Sequence, residues 1–504
     1  MQDILLTTFN ARYAHTSIAL RYLYANLKEL KERACILEFV INSNIADAVE
    51  AVLDYAPKVV GVGVYIWNAL EVQEYIKILK KVSPQTIIVL GGPEASHLPH
   101  RVSFKEADYI IQGEGEEAFY TLCSQLLKGE IPTESFIKAP MVNLDTIELP
   151  YAYFNERDIK SRYCYVEASR GCPFTCEFCL SSADKKVRNI DMTRFINELE
   201  LLWCRGVRNF KFIDRTFNLS IENASSLLDF FLSKKEEYFV HFEVIPDQFP
   251  LELRKKISQF PPAALQLEIG IQTLDPLISE GIHRRLNLPK IEENLAFLQN
   301  ETQAHLHVDL IIGLPGESVE GFGANLNKLH ALTKCEIQLG ILKKLSGTTL
   351  SRHDEIHGMV YSDKPPYDIL KNNLISYKKM QKMKRFARFW DLVYNSGNFK
   401  KTVNYLWEEG NVFEGFYTWS EWLYAQTEST WQISLDRLAE LLFKYLSEEK
   451  NTPEEPLKAM LIEDIMTVRG RKMPSFLREN YLPREGQKET TLRVNKRQLK
   501  HSSV

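Results

Sequence analysis

No run of about twenty apolar residues occurs anywhere in the 504 residues, so no segment reads as a membrane-spanning helix. The opening Met1-Gln-Asp-Ile-Leu-Leu has no basic region ahead of an apolar stretch, and a cytoplasmic protein is expected. Cysteine is scarce: eight in a chain this long are too few for a disulfide scaffold and suit a reducing compartment. An excess of one charge is also missing, since 62 Lys and Arg against 66 Asp and Glu leave a net charge of −4. That balance argues neither for nor against nucleic acid over the whole surface.

Three of the eight cysteines stand in one short run, Ser169-Arg-Gly-Cys172-Pro-Phe-Thr-Cys176-Glu-Phe-Cys179. Gaps of three and two residues let a single loop place three thiolates on one iron-sulfur cluster, leaving one iron without a protein ligand. Gly171 and Pro173 make the run a turn, and the apolar-rich Tyr163 to Ala168 before it reads as the strand that delivers it. The alternatives are a zinc site short of a ligand or unconnected core cysteines. Zinc would want another ligand close by, and no His lies within fifty residues on either side. Cys35, Cys123, Cys164, Cys204 and Cys335 are scattered and read as small buried hydrophobes.

The length suggests about three domains, and 45% hydrophobic residues is ample for ordinary cores. Over residues 1–145, short apolar runs alternate with amphipathic segments: Ile4 to Phe9, Cys35 to Ile41, Val59 to Tyr65, Ile87 to Leu90 and Asp108 to Gln112. This order predicts a doubly wound parallel sheet, with its ligand crevice at the carboxyl ends of the strands. Glycine stands at several of those ends, at Gly61 and Gly63, at Gly91-Gly92-Pro93 and at Gly113-Glu114-Gly115-Glu116, although βα turns also need glycine for conformational reasons. Residues 146–160, with Pro150, Tyr151, Tyr153 and Phe154, read as an ordered, packed linker.

Over residues 161–350 strand and helix repeat about six times, which predicts a partial (βα)6 parallel barrel. Its strands run from Tyr163 to Ala168, Asn209 to Ile213, Val240 to Ile245, Ala264 to Ile269, His305 to Ile311 and Glu336 to Ile341. Polar residues recur at or near their ends: Asp214, Glu243, Glu268 with Gln272, and Asp309 with Gly313 and Glu317. Helix caps and solvated loop charges would use the same residue types. Residues 351–483 turn to helical periodicity, and residues 484–504 form a basic tail with six Lys or Arg against two Glu, expected to be disordered. Lys378, Lys379, Lys382, Lys384, Arg385 and Arg388 stand among Tyr377, Phe386, Phe389 and Trp390. Such a stretch binds RNA or an anionic small molecule, or is simply a solvated helix face. The rings from Phe413 to Tyr424 read as packing.

The cysteine spacing and its flanks, Phe178 included, resemble the radical S-adenosylmethionine superfamily. The resemblance implies a 4Fe-4S cluster on Cys172, Cys176 and Cys179, whose open iron chelates S-adenosylmethionine and cleaves it reductively to a 5′-deoxyadenosyl radical. The first domain resembles the cobalamin-binding domain that precedes the radical domain in one large subclass. The resemblance is carried by Asn10-Ala-Arg-Tyr-Ala-His-Thr with Leu20-Arg-Tyr-Leu, Gly61-Val-Gly-Val-Tyr, Leu90-Gly-Gly-Pro-Glu and Gly113-Glu-Gly-Glu-Glu. It implies cobalamin contacts from Gly61, Gly63, Trp67, Gly91, Gly92, Gly113 and Glu114. The Asp-x-His-x-x-Gly motif that supplies a lower cobalt ligand in many such domains is missing, so cobalamin is expected to bind without a protein histidine.

For S-adenosylmethionine the resemblance implies Phe178, Asp214, Glu243, Glu268, Gln272, Asp309, Gly313 and Glu317. Phe212 to Arg215 takes the place of the family's Gly-Gly-Glu segment, Val308 to Glu317 looks like the strand that packs adenine, and Glu268 and Gln272 look like ribose contacts. The C-terminal region resembles the helical extension of one group of cobalamin-type radical enzymes. The implied activity is methylation of an unactivated carbon of a small molecule, with a flavodoxin- or ferredoxin-type electron donor. Cobalamin-dependent cyclisation, oxidation or rearrangement, and RNA modification through the basic C-terminal region, are the alternatives.

Overall fold

The computed structural model describes residues 2–480 apart from Glu409, Arg469 and Gly470, so the basic tail lies outside the described residues. The chain forms two compact units. One holds the residues up to Arg215 with Lys343–Thr349 and Tyr361–Asp368; the other holds Thr216–Leu342, Leu350–Val360 and the described residues from Ile369 onward.

The first unit is built on six parallel strands: β1 (Ile4–Asn10), β2 (Ala34–Val40), β3 (Val59–Gly63), β4 (Ile87–Gly91), β5 (Tyr109–Gln112) and β6 (Phe136–Lys138), in the order β2-β1-β3-β4-β5-β6. Helices α1 (Ile18–Ala25), α2 (Ile45–Leu53), α3 (Ala69–Val82) and α4 (Glu116–Leu127) cover the two faces. Because both faces are covered, β1 reads as an apolar run in which all seven residues are buried. Leu5, Phe9, Val60, Val62 and Leu90 pack with Val52, Val72 and Ile76 of α2 and α3. The alternate residues Ile4, Leu6, Val59 and Val89 pack with Leu20, Phe119 and Leu122 of α1 and α4. The strand order reverses between β1 and β3, where a sheet of this kind opens its crevice.

After the sheet the chain crosses α5 (Glu156–Ser161), whose N-terminus is closed by a reciprocal Asn155–Asp158 capping box. Arg21 of α1 and Arg162 share the carboxylates of Glu38 on β2 and Asp158 on α5, and all four side chains are buried. The connector is thus tied to the sheet by a two-plus-two charge network rather than by apolar packing alone. Beyond it, β7 (Cys164–Val166) leads into a hairpin of β8 (Ser169–Arg170) and β9 (Arg188–Asn189), then α6 (Met192–Cys204) and β10 (Asn209–Phe212), which pairs in parallel with β7.

The second unit carries α7 (Ile221–Leu232), β11 (Phe239–Val244), α8 (Leu251–Ile257), β12 (Leu265–Gln272), α9 (Pro276–Gly281), α10 (Leu288–Glu301), β13 (His305–Ile312), α11 (Val319–Leu332) and β14 (Glu336–Ile341). Its four strands are parallel, each paired to the next in sequence. β12 and β13 alternate strictly between buried apolar and half-buried residues, mostly polar, so the sheet has one apolar face and one polar face. Helices α12 (Asp354–His357), α13 (Tyr377–Trp390), α14 (Val412–Thr427), α15 (Leu435–Lys444) and α16 (Glu454–Met466) complete the unit. Phe386 and Trp390 of α13 meet Phe413 and Phe416 of α14 with ring centroids 5.3 and 4.9 Å apart, so those aromatics are core. The expected α/β class, with parallel sheets and a helical C-terminal region, is what the chain adopts.

Candidate active site

The three motif cysteines sit on the loop between β8 and β9. Gly171 opens it at φ +94°, and a Cβ there would lie 2.4 Å from Lys186 O, so only glycine lets the two ends of the loop close this tightly. Cys172 N–H donates to Asp184 O at 2.8 Å, and Cys179 N–H to Cys176 O at 3.2 Å. Cys172 and Cys176 are buried, Cys179 and Phe178 half-buried. Burial raises the Cys172 thiol pKa; a hydrogen bond from the Phe174 N–H opposes this, and Cys179 and Cys176 add to it. Three thiols on one short loop pinched at its base are the donor set that a shared cluster would use.

Asp214, just past β10, braces the approach to this loop. It accepts from Ala168 N–H at 3.0 Å and from Ser169 Oγ at 2.6 Å, and burial pushes its pKa up to about 7 against the pull of those bonds. Its oxygens thus hold the backbone that leads to Cys172.

A cavity of about 300 Å³ opens at the carboxyl ends of β3, β4 and β5 beside α1. Gly61, Gly63, Gly91, Gly92, Gly113 and Glu114 all line it, so six of the seven sequence-predicted cobalamin residues come together. Gly92 has φ +98°, and a Cβ there would approach Val64 O to 2.5 Å; Gly61 packs so closely that a Cβ would meet Leu6 and Phe119 at 2.9 Å. The wall is mostly apolar, as in small-molecule sites of this size. Trp67 is not on the wall. It stacks on Tyr65, which is, at 4.5 Å between centroids, and donates Nε1–H to Phe9 O. Neither His15 nor His97 lines the cavity, and His15 Nδ1 is engaged by Tyr165 Oη at 2.6 Å.

The far wall was not legible in the sequence. Glu167 and Arg170, which flank Ala168 and Ser169 just before the cysteine loop, line the same cavity. Arg170 reaches Glu116 at 2.7 Å, Glu167 at 2.8 Å and Glu114 at 3.4 Å. Burial disfavours its charge, but Glu167 and Glu116 outweigh this and keep it a cation. Burial raises the Glu167 carboxyl pKa against Arg170. Arg188, opposite Arg170 in the hairpin, holds Glu114 and Asp184. The cavity and the cysteine loop therefore share one charged hinge.

In the second unit the polar face of the sheet gathers Glu243 and Glu268, register partners on β11 and β12, with Asp309 on β13. Burial, then Glu268 and Glu243, raise the Asp309 pKa well above the usual carboxylate range, with Arg284 opposing. Among the described residues Asp309 Oδ1 has no hydrogen-bond partner, which fits a polar ligand on this face. His241 Nε2–H donates to Glu268 at 2.9 Å, and His305 and His307 both face Glu336; the strict alternation of β12 and β13 was the signal for this row. Gln272 sits at φ +71° beside a bulge in β12. Glu317 is turned inward: it accepts from Asn325 Nδ2 and from the Gly313 and Leu314 N–H groups, and burial pushes its pKa up to about 8. It shapes the turn at Gly313, φ +89°, while Oε2 has no partner among the described residues.

The basic stretch of α13 is largely compensated. Lys382 and Arg385 pair with Glu421, Lys379 with Glu320, and Arg388 with Asp391 while lying over the Trp431 ring. No described helix is long and apolar enough to cross a membrane.

Three family models match the chain: the B12 binding domain over residues 4–123, the radical SAM superfamily over 166–329, and a family described as a protein of unknown function, DUF4080, over 355–502. The uncharacterized methyltransferase PH0819 of Pyrococcus horikoshii is 24% identical over 66% of this chain and 77% of its own. The cobalamin-dependent radical SAM methyltransferase TokK of Streptomyces tokunonensis is 24% identical over 54% of this chain and 45% of its own, so the chain spans less than half of that relative. The radical S-adenosylmethionine methyltransferase TsrM of Kitasatospora setae, solved with tryptophan and a SAM analogue, superimposes with a TM-score of 0.58 at 16% identity. That superposition covers 75% of this chain and 81% of TsrM. The chain belongs to the radical SAM enzymes that carry a B12-binding domain, with a DUF4080 domain at its C-terminal end. A 4Fe-4S cluster, S-adenosylmethionine and cobalamin are the cofactors of this class, and the cysteine loop, the polar face and the glycine-edged cavity suit them.

Proposed function

We infer that the protein methylates an unactivated carbon of a small molecule. The observation that carries this reading is the shared wall: Arg170 lines the glycine-edged cavity two residues before Cys172. Methyltransferase relatives support the same reading. When bound, the cluster and S-adenosylmethionine supply a hydrogen-abstracting radical, and cobalamin supplies the methyl group to be transferred.

The chain's own residues bind, orient and exclude water. Cys172, Cys176 and Cys179 hold the cluster, and Phe178 borders S-adenosylmethionine. Asp214 fixes the strand ahead of the loop, acting through Ala168 and Ser169. Glu243, Glu268, Gln272 and Asp309 face S-adenosylmethionine with polar groups, and Gly313 with Glu317 shapes the turn that receives the adenine. Gly61, Gly63, Gly91, Gly92, Gly113 and Glu114 surround an arm of the cobalamin, and Trp67 backs Tyr65. In this reading residues 1–145 are the cobalamin domain, 146–160 the linker, 161–350 the radical barrel and 351–483 the helical domain. A low-potential flavodoxin or ferredoxin is the electron donor, and the protein works in the cytoplasm.

The test is anaerobic turnover of the reconstituted protein with methyl-labelled S-adenosylmethionine, dithionite and host small-molecule extract, read by mass spectrometry. Labelled methyl in a new product, with 5′-deoxyadenosine and S-adenosylhomocysteine both formed, is the expected result. Deoxyadenosine alone would keep the radical enzyme and remove methyl transfer.

A further inference from the structure

The turn that leaves β4 is held from behind. Gly91, Gly92 and Pro93 line the cavity, whereas residues 94–101, which follow directly, do not. Gly92 turns at φ +98°, and its carbonyl accepts from Ser96 Oγ at 2.8 Å, while Glu94 N–H donates to Val64 O at 3.3 Å. The lip of the cavity is thus tied to residues outside its wall.

Two short segments from much later in the chain, Lys343–Thr349 and Tyr361–Asp368, belong to the same compact unit as this turn. They pair with each other: Lys343 bridges Asp368, and Lys344 N–H donates to Tyr367 O at 3.1 Å. Together they meet residues 94–101 in three ways. The buried Tyr367 hydroxyl donates to the buried Glu94 carboxylate. The Arg101 guanidinium lies over the Tyr367 ring, 4.4 Å from its centroid, and donates to Lys344 O at 2.7 Å. The His97 ring rests against Gly347, where a Cβ would lie 2.4 Å from His97 Cε1.

A hydroxyl bond to a carboxylate out of water is strong and directional, and a buried carboxylate that loses its donor is costly to keep in place. The stacked guanidinium in turn fixes the ring that carries the hydroxyl. The position of Glu94, and with it the turn one residue away, therefore depends on Tyr367, a residue of the DUF4080 domain.

We propose that Tyr367, backed by Arg101, is a positioning residue for corrinoid binding: it acts through Glu94 to hold the Gly91-Gly92-Pro93 turn at the cavity, which makes this early segment of the DUF4080 domain a working part of the B12 unit. That the turn meets a corrinoid rests on the proposed function; that it is braced rests on the contacts alone.

The brace is tested first without a ligand, by amide hydrogen exchange of the full-length protein over residues 92–100. Tyr367→Phe is expected to speed exchange there about tenfold, and Arg101→Met about threefold, with peptides of β1 and α3 at the wild-type rate. Arg101 is exposed, so its variant keeps the fold testable if Tyr367→Phe does not. Unchanged exchange over residues 92–100 in a folded variant, or equal acceleration in all peptides, would overturn the brace.

The second arm follows release of hydroxocobalamin from the loaded protein by absorbance, with cluster content measured alongside. Tyr367→Phe is expected to release it about fivefold faster at wild-type cluster content, and Glu94→Ala to do the same, the double variant adding little to either. Additive effects would separate Tyr367 from Glu94 and refute the relay. Gly91→Ala, which puts a methyl group on a wall residue, is the control for the site. Faster release in Gly91→Ala with none in Tyr367→Phe would refute the positioning role alone. Wild-type release in both would place the corrinoid elsewhere, and the proposed site would fall together with the positioning role.

Discussion

Arg170 and Glu116 meet at 2.7 Å, and this contact binds the N-terminus of α4, at the rim of the cavity, to the strand that enters the cysteine loop. The cavity and the strand that enters the cysteine loop are thus physically continuous within one unit.

Replacing Arg170 with Met strands Glu116 and Glu167, both nearly buried. Loss of one member of a buried charge set costs about 3–5 kcal/mol, so R170M should show a clearly lower urea midpoint and poor cobalamin retention. Lowering the pH from 7 to 5 should narrow the stability gap, because burial already raises the Glu167 carboxyl pKa and protonation removes its stranded charge. A midpoint equal to the wild type at pH 7 would show that the cluster of charges does not hold the hinge.

Gly91 and Gly92 are neighbours with different constraints. At Gly92 an Ala side chain meets Val64 O in a left-handed backbone, and G92A should cost about 1–3 kcal/mol in thermal unfolding as well as corrinoid binding. At Gly91 the nearest atom, Ile111 O, is 3.8 Å away, so G91A should fold with near wild-type stability. If G91A still retains less cobalamin, its methyl group intrudes on the ligand, whereas unchanged retention in both variants would move the corrinoid elsewhere.

Glu317 has an ordinary value of 4.5 and a folded value of about 8. Between the two, the folded protein keeps a proton that the unfolded chain releases, so stability should fall as pH rises through this window. The Gln variant has no such proton, and E317Q should show a smaller drop in urea midpoint from pH 5 to pH 8.5 than the wild type. Parallel pH profiles would mean that Glu317 is ionised in the fold.

Cys176→Ala should abolish both the visible absorption of the reconstituted cluster and reductive cleavage of S-adenosylmethionine. A variant that still formed deoxyadenosine would overturn the assignment of the cluster loop.

The cysteine spacing, the glycine-marked strand ends and the succession of strands and helices were open to reading because each depends on residues close in sequence. Arg170 was not, because its partners lie at 114, 116 and 167 and nothing near Ser169-Arg-Gly announces them. Trp67 looked like a cavity residue because it follows β3, yet its ring turns outward onto Tyr65 and Phe9. The lysines and arginines of α13 fit an anion-binding face or a solvated helix face equally in pattern until Glu421 and Glu320, distant in the chain, are brought against them. Asp214 and Glu317 were visible as polar groups near strand ends, but that they hold backbone N–H groups depends on the path of the turn.

The Arg21, Glu38, Asp158 and Arg162 network bears on how this chain can be recombined with others. A chimera cut at the linker, exchanging the first 145 or so residues for another corrinoid module, would separate Arg21 and Glu38 from Asp158 and Arg162 and bury each half with its complement missing. The transferable piece is larger than its sheet: a graft must carry the connector helix with it, or rebuild both arginines and both acids in the recipient.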